Sequence, residues 1–316
     1  MHSTDETYRQ RALLVSAVAL LLSITTPRAL GFSVDIPSFL PIFEAVCFFG
    51  AILPYLYWRR MRSLHAMVEA TALTLLASFA SLVLSYAGMR FNTPLADQLL
   101  TRMDAALGLS AIDAIRLANM FPNMNMLLSW SYTSFIYQIM AAPVLLSLFI
   151  SPTRAYQFLF AYVILVIASV ILSIPFPSRG AVIGQGFNPS HFYLVNEDSS
   201  RGFIKSLMEV RSSPSFVLSL QIAKGILTFP SIHAGMAALF IWSAWPSPLL
   251  RLPALALNSL MIASAVTCGS HYFVDVIAGC GIAAVAAWAS ARRPTAQREQ
   301  LRRSRLGTDG REIVAN

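Results

Sequence analysis

The chain has 316 residues, of which 56% are hydrophobic and only 12% charged, with a formal net charge of +8. A soluble domain carries about 25% charged residues, so this composition excludes an ordinary globular protein and places the chain in a bilayer. The positive charge does not read as a nucleic-acid surface: seven arginines lie in one tail, Arg292 to Arg311, directly after an apolar segment, as a cytoplasmic anchor would.

At the N-terminus, Arg9 and Arg11 precede the apolar run from Ala12 to Ile24, which superficially matches a secretory signal peptide. No small-x-small cleavage site follows convincingly, and Thr25-Thr26-Pro27-Arg28 reads as the end of a retained signal-anchor helix. Hydropathy then picks out eight spans in all, at about residues 12–26, 39–58, 66–88, 126–150, 155–175, 229–246, 252–268 and 273–290. The expected fold is therefore all-α, a polytopic transmembrane helical bundle. Cys47, Cys268 and Cys280 form no C-x-x-C pair, so neither a disulfide nor a cysteine-based metal site is expected.

Charge sets the orientation. The two termini and the short loops at Arg59-Arg60-Met61-Arg62, Arg154 and Arg251 hold 14 of the 23 lysines and arginines, which predicts that this side is cytoplasmic. Two long segments, about residues 89–125 and 176–228, then fall on the outer face, periplasmic if the cell is bacterial, in an inner membrane. In the first, Leu99, Leu100, Met103 and Leu107 suggest an amphipathic helix lying on the membrane or one packed on the bundle. The second is polar and rich in Gly, Ser and Pro, a lid or a long connector. The tail after Pro294 is expected to be disordered.

Ionisable groups at membrane depth are costly and point to function. His233 lies in Thr228-Phe229-Pro230-Ser231-Ile232-His233-Ala234-Gly235, where the proline puts Ser231 and His233 at a helix start, whose unpaired amides suit a phosphate. In Gly269-Ser270-His271-Tyr272-Phe273-Val274-Asp275 the spacing of four sets His271 and Asp275 on one helical face. There the carboxylate fixes the ring tautomer and activates a nucleophilic histidine. Both clusters fall at the outer ends of their spans. His65 and His191 read as packing and loop residues.

The pair of clusters resembles the second and third signature motifs of the type 2 phosphatidic acid phosphatase superfamily, in wording nearest the inositol phosphorylceramide synthase-like branch. The similarity spans about residues 66–290. It implies a six-helix catalytic core at 66–291, two additional N-terminal helices within 1–65 and a basic tail at 292–316. It also implies that His271 attacks phosphorus, Asp275 orients it, His233 protonates the leaving oxygen and Ser231 binds the phosphoryl oxygens of a lipid substrate, with no cofactor and no metal.

Two features depart from the superfamily. Ser264 keeps the serine that opens the third motif, but Ala265 stands where an arginine is usual, and the Lys and Arg-Pro of the first motif are not recognisable. Arg179, Arg211 and Lys224 are the replacement cations on the outer side. Competing readings are a proton-coupled transporter, an intramembrane serine protease and a metal hydrolase. The transporter lacks its paired broken helices, and the protease lacks a Gly-x-Ser-Gly turn.

Overall fold

In the computed structural model of the protein, residues 3–192 and 197–292 are described; the basic tail beyond Arg292 lies outside them. Long apolar runs give α1 (Ser3–Ala29), α2 (Leu40–Trp58), α3 (Arg62–Met89), α6 (Pro122–Phe149), α7 (Pro152–Ser173), α11 (Pro248–Thr267) and α12 (Phe273–Ala291). All seven are long and apolar enough to cross a membrane. Serine followed by proline marks two of the starts. Ser151 accepts the Arg154 amide at 3.2 Å and Ser247 that of Leu250 at 3.4 Å, while Pro152 and Pro248 occupy a position that needs no amide hydrogen.

The sixth expected span, 229–246, is shorter than the sequence suggests. Helix α10 (Ile232–Ala244) has 13 residues, about 20 Å at 1.5 Å per residue, against a hydrocarbon core of about 30 Å. Thr228 to Ser231 is not helical. The helix therefore begins beside the interior of α6, with Tyr132 stacked on His233.

Between α3 and α6 the expected amphipathic helix is two helices, α4 (Asp97–Ala106) and α5 (Ala111–Asn119), broken at Gly108, whose φ is +71°. The face turned inward carries Asp97, Leu100 and Asp104, whereas Leu99, Met103 and Leu107 are exposed. Polar partners decide that orientation, as the site shows below. Between α7 and α10 lie α8 (Ala181–Gly184) and α9 (Glu197–Ser212). The strands β1 (Ser33–Val34) and β2 (Val217–Leu218) pair in parallel and tie the α1–α2 connection to this region.

Helix α7 is the hub, packed against α1, α3, α6, α10 and α12, while α2 leans mainly on α3. Small residues permit the close approach that membrane helices need: Ala66, Ala70, Ala77 and Ala80 of α3 and Ala283 and Ala286 of α12 share a core with Phe158, Leu159 and Leu165. Any Cβ on Gly279 would run into the Ser231 carbonyl, and one on Gly235 would lie 3.0 Å from the Gly279 carbonyl. Glycine is what lets α10 and α12 touch.

Contacts define the two ends of the bundle. At one, Arg9 binds Glu69 through Nε at 2.7 Å and Nη2 at 2.6 Å, Thr153 donates to Asp5, and Arg11 donates to the Arg292 carbonyl at 2.9 Å. Both ends of the described chain lie there. At the other, Phe39, Phe79, Val83, Tyr86, Leu207 and Phe216 form a second core, and Arg90 ties α1 to α9 by donating to Leu30, Gly31 and Val210 carbonyls at 3.0, 3.0 and 2.8 Å.

Candidate active site

The turn from α11 into α12 is built to present His271. Ser270 has φ +56°, a left-handed conformation that costs a non-glycine residue energy, and it is held by the segment after α7. The Ala181 amide donates to the Ser270 carbonyl at 2.6 Å and the Val182 amide to its hydroxyl at 2.9 Å. The His271 amide donates to the Ala265 carbonyl at 3.1 Å. Its Nδ1 lies 3.2 Å from Asp275 Oδ2, which also accepts the Tyr272 amide at 3.0 Å. His271 and Asp275 are 3% and 0% exposed. With Nδ1 facing the carboxylate, Nε2 is the nitrogen left to react.

The start of α10 is bonded directly to this turn, through the Ser231 amide and the Asp275 carbonyl at 2.9 Å. The Ser231 hydroxyl accepts the Ala234 amide at 3.3 Å. A helix start leaves its first amides without intrahelical acceptors, and those of Ile232 and His233 remain for an anion. The His233 ring stacks on Tyr132 at 4.2 Å and 11°, with Phe135 also at 4.2 Å, and its centroid is 6.4 Å from that of His271. A Cβ on Gly269 would meet Tyr132 Cε2 at 2.9 Å, so glycine admits the Tyr132 ring.

The geometry thus joins the two histidine motifs into one cluster, His271 buried and His233 half-buried, and a family model described as the PAP2 superfamily matches residues 98–289. The chain belongs to the PAP2 superfamily. No curated protein and no solved structure matches it. The matched PAP2 region contains α5 to α11, all of α4 after its first residue and all of α12 but its last two; α1 to α3 precede it.

Within this PAP2 site Arg179 is near the cluster. Its segment bonds Ser270 on one side and, through the Ser178 carbonyl, the Thr228 hydroxyl at 3.1 Å on the other. Phe176 meets Phe229 edge-on at 5.3 Å. Arg211 instead donates to the Thr93 carbonyl at 2.5 Å, and burial lowers its pKa. Lys224 is exposed, its amide donating to the Tyr86 hydroxyl at 3.1 Å. Ala265, at the PAP2 arginine position, is fully buried in an apolar cluster with Ala234 and Tyr272. His65 lies edge-on to Tyr57 at 6.2 Å, and His191 is exposed.

Several neighbours of the site carry no motif. Asp104 accepts the Phe273 and Val274 amides, both at 2.9 Å, and so caps α12 from α4. Burial raises its pKa, while those two amides act to lower it. Asp97 accepts from Ser178, Arg179 and Tyr272. The one signal that could have found them is the spacing of seven, which puts both aspartates on one face of an otherwise amphipathic helix.

Proposed function

We propose that the protein is a membrane lipid phosphatase or phosphotransferase that works through a phosphohistidine on His271. The observation that carries the reading is the buried pair of His271 Nδ1 and Asp275 Oδ2 at 3.2 Å, joined by the Ser231 amide to the helix start that bears His233. Asp275 holds the proton on Nδ1, so the Nε2 lone pair attacks phosphorus. The N–P bond forms as the P–O bond to the leaving group breaks, and His233 donates a proton to the departing oxygen. Ser231, the amides of Ile232 and His233, and Arg179 compensate the charge on the phosphoryl oxygens. In the second half, water or a lipid hydroxyl gives its proton to His233 and attacks phosphorus, freeing His271.

The acceptor separates a phosphatase from a transferase, and the P-S-x-H-A-G and H-Y-x-x-D-V wording favours an inositol phosphorylceramide synthase-like transfer. Orientation follows from charge. With 14 of 23 cationic residues on the side of the termini, that side is cytoplasmic, and the site at the opposite end works on the outer leaflet, periplasmic in a bacterium.

The test is mass spectrometry of lipids after incubating purified protein with phosphatidic acid, undecaprenyl diphosphate, phosphatidylinositol and ceramide. Loss of phosphate from a donor, or its appearance on an acceptor, should vanish in His271→Ala. Turnover that persists in that variant would overturn the mechanism, and turnover abolished by a strong chelator would favour a metal hydrolase.

A further inference from the structure

We infer that Asp97 is a positioning residue that aims the Arg179 guanidinium at the phosphoryl group. The inference rests on the phosphoryl-transfer reading above. Asp97 is 2% exposed and lies one residue before the region shared with the PAP2 superfamily. Its Oδ1 accepts the Ser178 hydroxyl at 2.8 Å, the Arg179 amide at 3.0 Å and the Tyr272 hydroxyl at 3.4 Å. Its Oδ2 faces Arg179 Nε at 3.3 Å. A carboxylate this buried needs a cation and several donors, and here it has both.

The way Arg179 is held matters more than the pairing itself. Only Nε meets the carboxylate, and among the described residues Nη1 and Nη2 have no protein acceptor, while the side chain is 39% exposed. The terminal nitrogens are the pair that matches two oxygens of a phosphate. A fixed acceptor at Nε sets the plane in which they point. The same short segment is bonded to Thr228 before α10 and to Ser270 before His271, so the backbone that carries Arg179 is anchored between the two halves of the site. Gly184 supports this arrangement from behind: an added Cβ would run into Asp97 Oδ1 and lie 2.6 Å from the Tyr272 hydroxyl oxygen.

The test uses the full-length protein, the soluble ester p-nitrophenyl phosphate and inhibition by inorganic phosphate. Asp97→Asn can keep an oxygen at the Oδ1 position for Ser178, the Arg179 amide and Tyr272, but puts a donor opposite Nε. It should lower kcat/KM and weaken phosphate inhibition by about tenfold each. In an Arg179→Ala background the same change should add less than about twofold, because the residue it acts through is gone. Equal losses in both backgrounds would make Asp97 a structural brace and overturn the inference. If Asp97→Asn does not fold, Gly184→Ala displaces the carboxylate without neutralising it and should show the same dependence on Arg179; equal losses there overturn it too. Acid-labile phosphohistidine trapped on wild-type His271 reads the underlying chemistry separately. Its absence would overturn both readings, whereas its presence with equal Asp97 losses overturns only this one.

Discussion

Each end of the bundle buries a carboxylate against an arginine, and the two pairs are built differently. Near the termini, Glu69 takes Nε and Nη2 of Arg9 at 2.7 and 2.6 Å, Tyr156 donates to the same carboxylate at 2.5 Å, and the remaining Nη1 meets Glu6 at 3.2 Å. Every nitrogen of that guanidinium has an acceptor within the protein. At the other end Asp97 meets Arg179 through Nε alone, and among the described residues Nη1 and Nη2 have no protein acceptor while the side chain is 39% exposed. A saturated pair fastens α1 to α3 and α7. An unsaturated one retains donors for a ligand. Substitutions near the termini should therefore change stability, and those at the other end should change rate.

The largest expected effect is at His271. His271→Ala should abolish turnover and phosphohistidine formation in protein that still folds in detergent, since it removes the nucleophile, while Asp275 Oδ2 keeps the Tyr272 amide. Asp275→Asn should follow, with a loss of about 10^2 to 10^4 in kcat by analogy with the loss of a triad carboxylate. An unchanged rate would mean that Asp275 serves only the start of α12, where it accepts the Tyr272 amide.

At the opposite end Glu69→Ala leaves Arg9 with Glu6 alone, and losing hydrogen bonds to a charged group costs about 1.5–3 kcal/mol. Unfolding measurements should show that loss, with kcat per folded molecule unchanged. A fall in kcat instead would erase the contrast between the ends. Arg179→Ala should lose about 2.7–4 kcal/mol of transition-state stabilisation, so kcat per folded molecule falls, and because it leaves the buried Asp97 without its cation the unfolding midpoint should fall as well. Lysine there should restore only part, because a point charge lacks the planar fork. The same alanine change at Arg211 or Lys224 should have the smallest effect on rate; a comparable loss at either would move the clamp away from Arg179.

Much of this architecture was legible in the residues. Runs such as Ala155–Val170 and Phe273–Trp288 have the length and polarity of spans, and a helix in lipid closes its own backbone hydrogen bonds, so composition alone determines it. The histidine pair was legible for a different reason: His271 and Asp275 are four positions apart, a local spacing, although His271 precedes α12 and meets Asp275 in its first turn and not on a shared helical face, and His233 follows Pro230-Ser231 at a helix start. By contrast, the span 229–246 is longer than α10, because hydropathy counts Phe229 to Ser231 in the apolar run and is blind to their non-helical backbone, although Pro230-Ser231 marks the helix start.

Composition, charge and local spacing by themselves determined that the chain is a membrane bundle of helices with a histidine–aspartate pair at one end. Those properties depend on residues within a few turns of one another. Only the tertiary structure decided which cation stands beside that pair, and which carboxylates brace it. Asp97 is separated from Arg179 by 82 positions and Asp104 from Phe273 by 169, and no periodicity links residues so far apart. The same holds for the inward face of α4. Of its apolar residues Leu100 is buried while Leu99, Met103 and Leu107 are exposed, and the buried carboxylates of Asp97 and Asp104 beside Leu100 are satisfied by donors from Arg179, Phe273 and Val274.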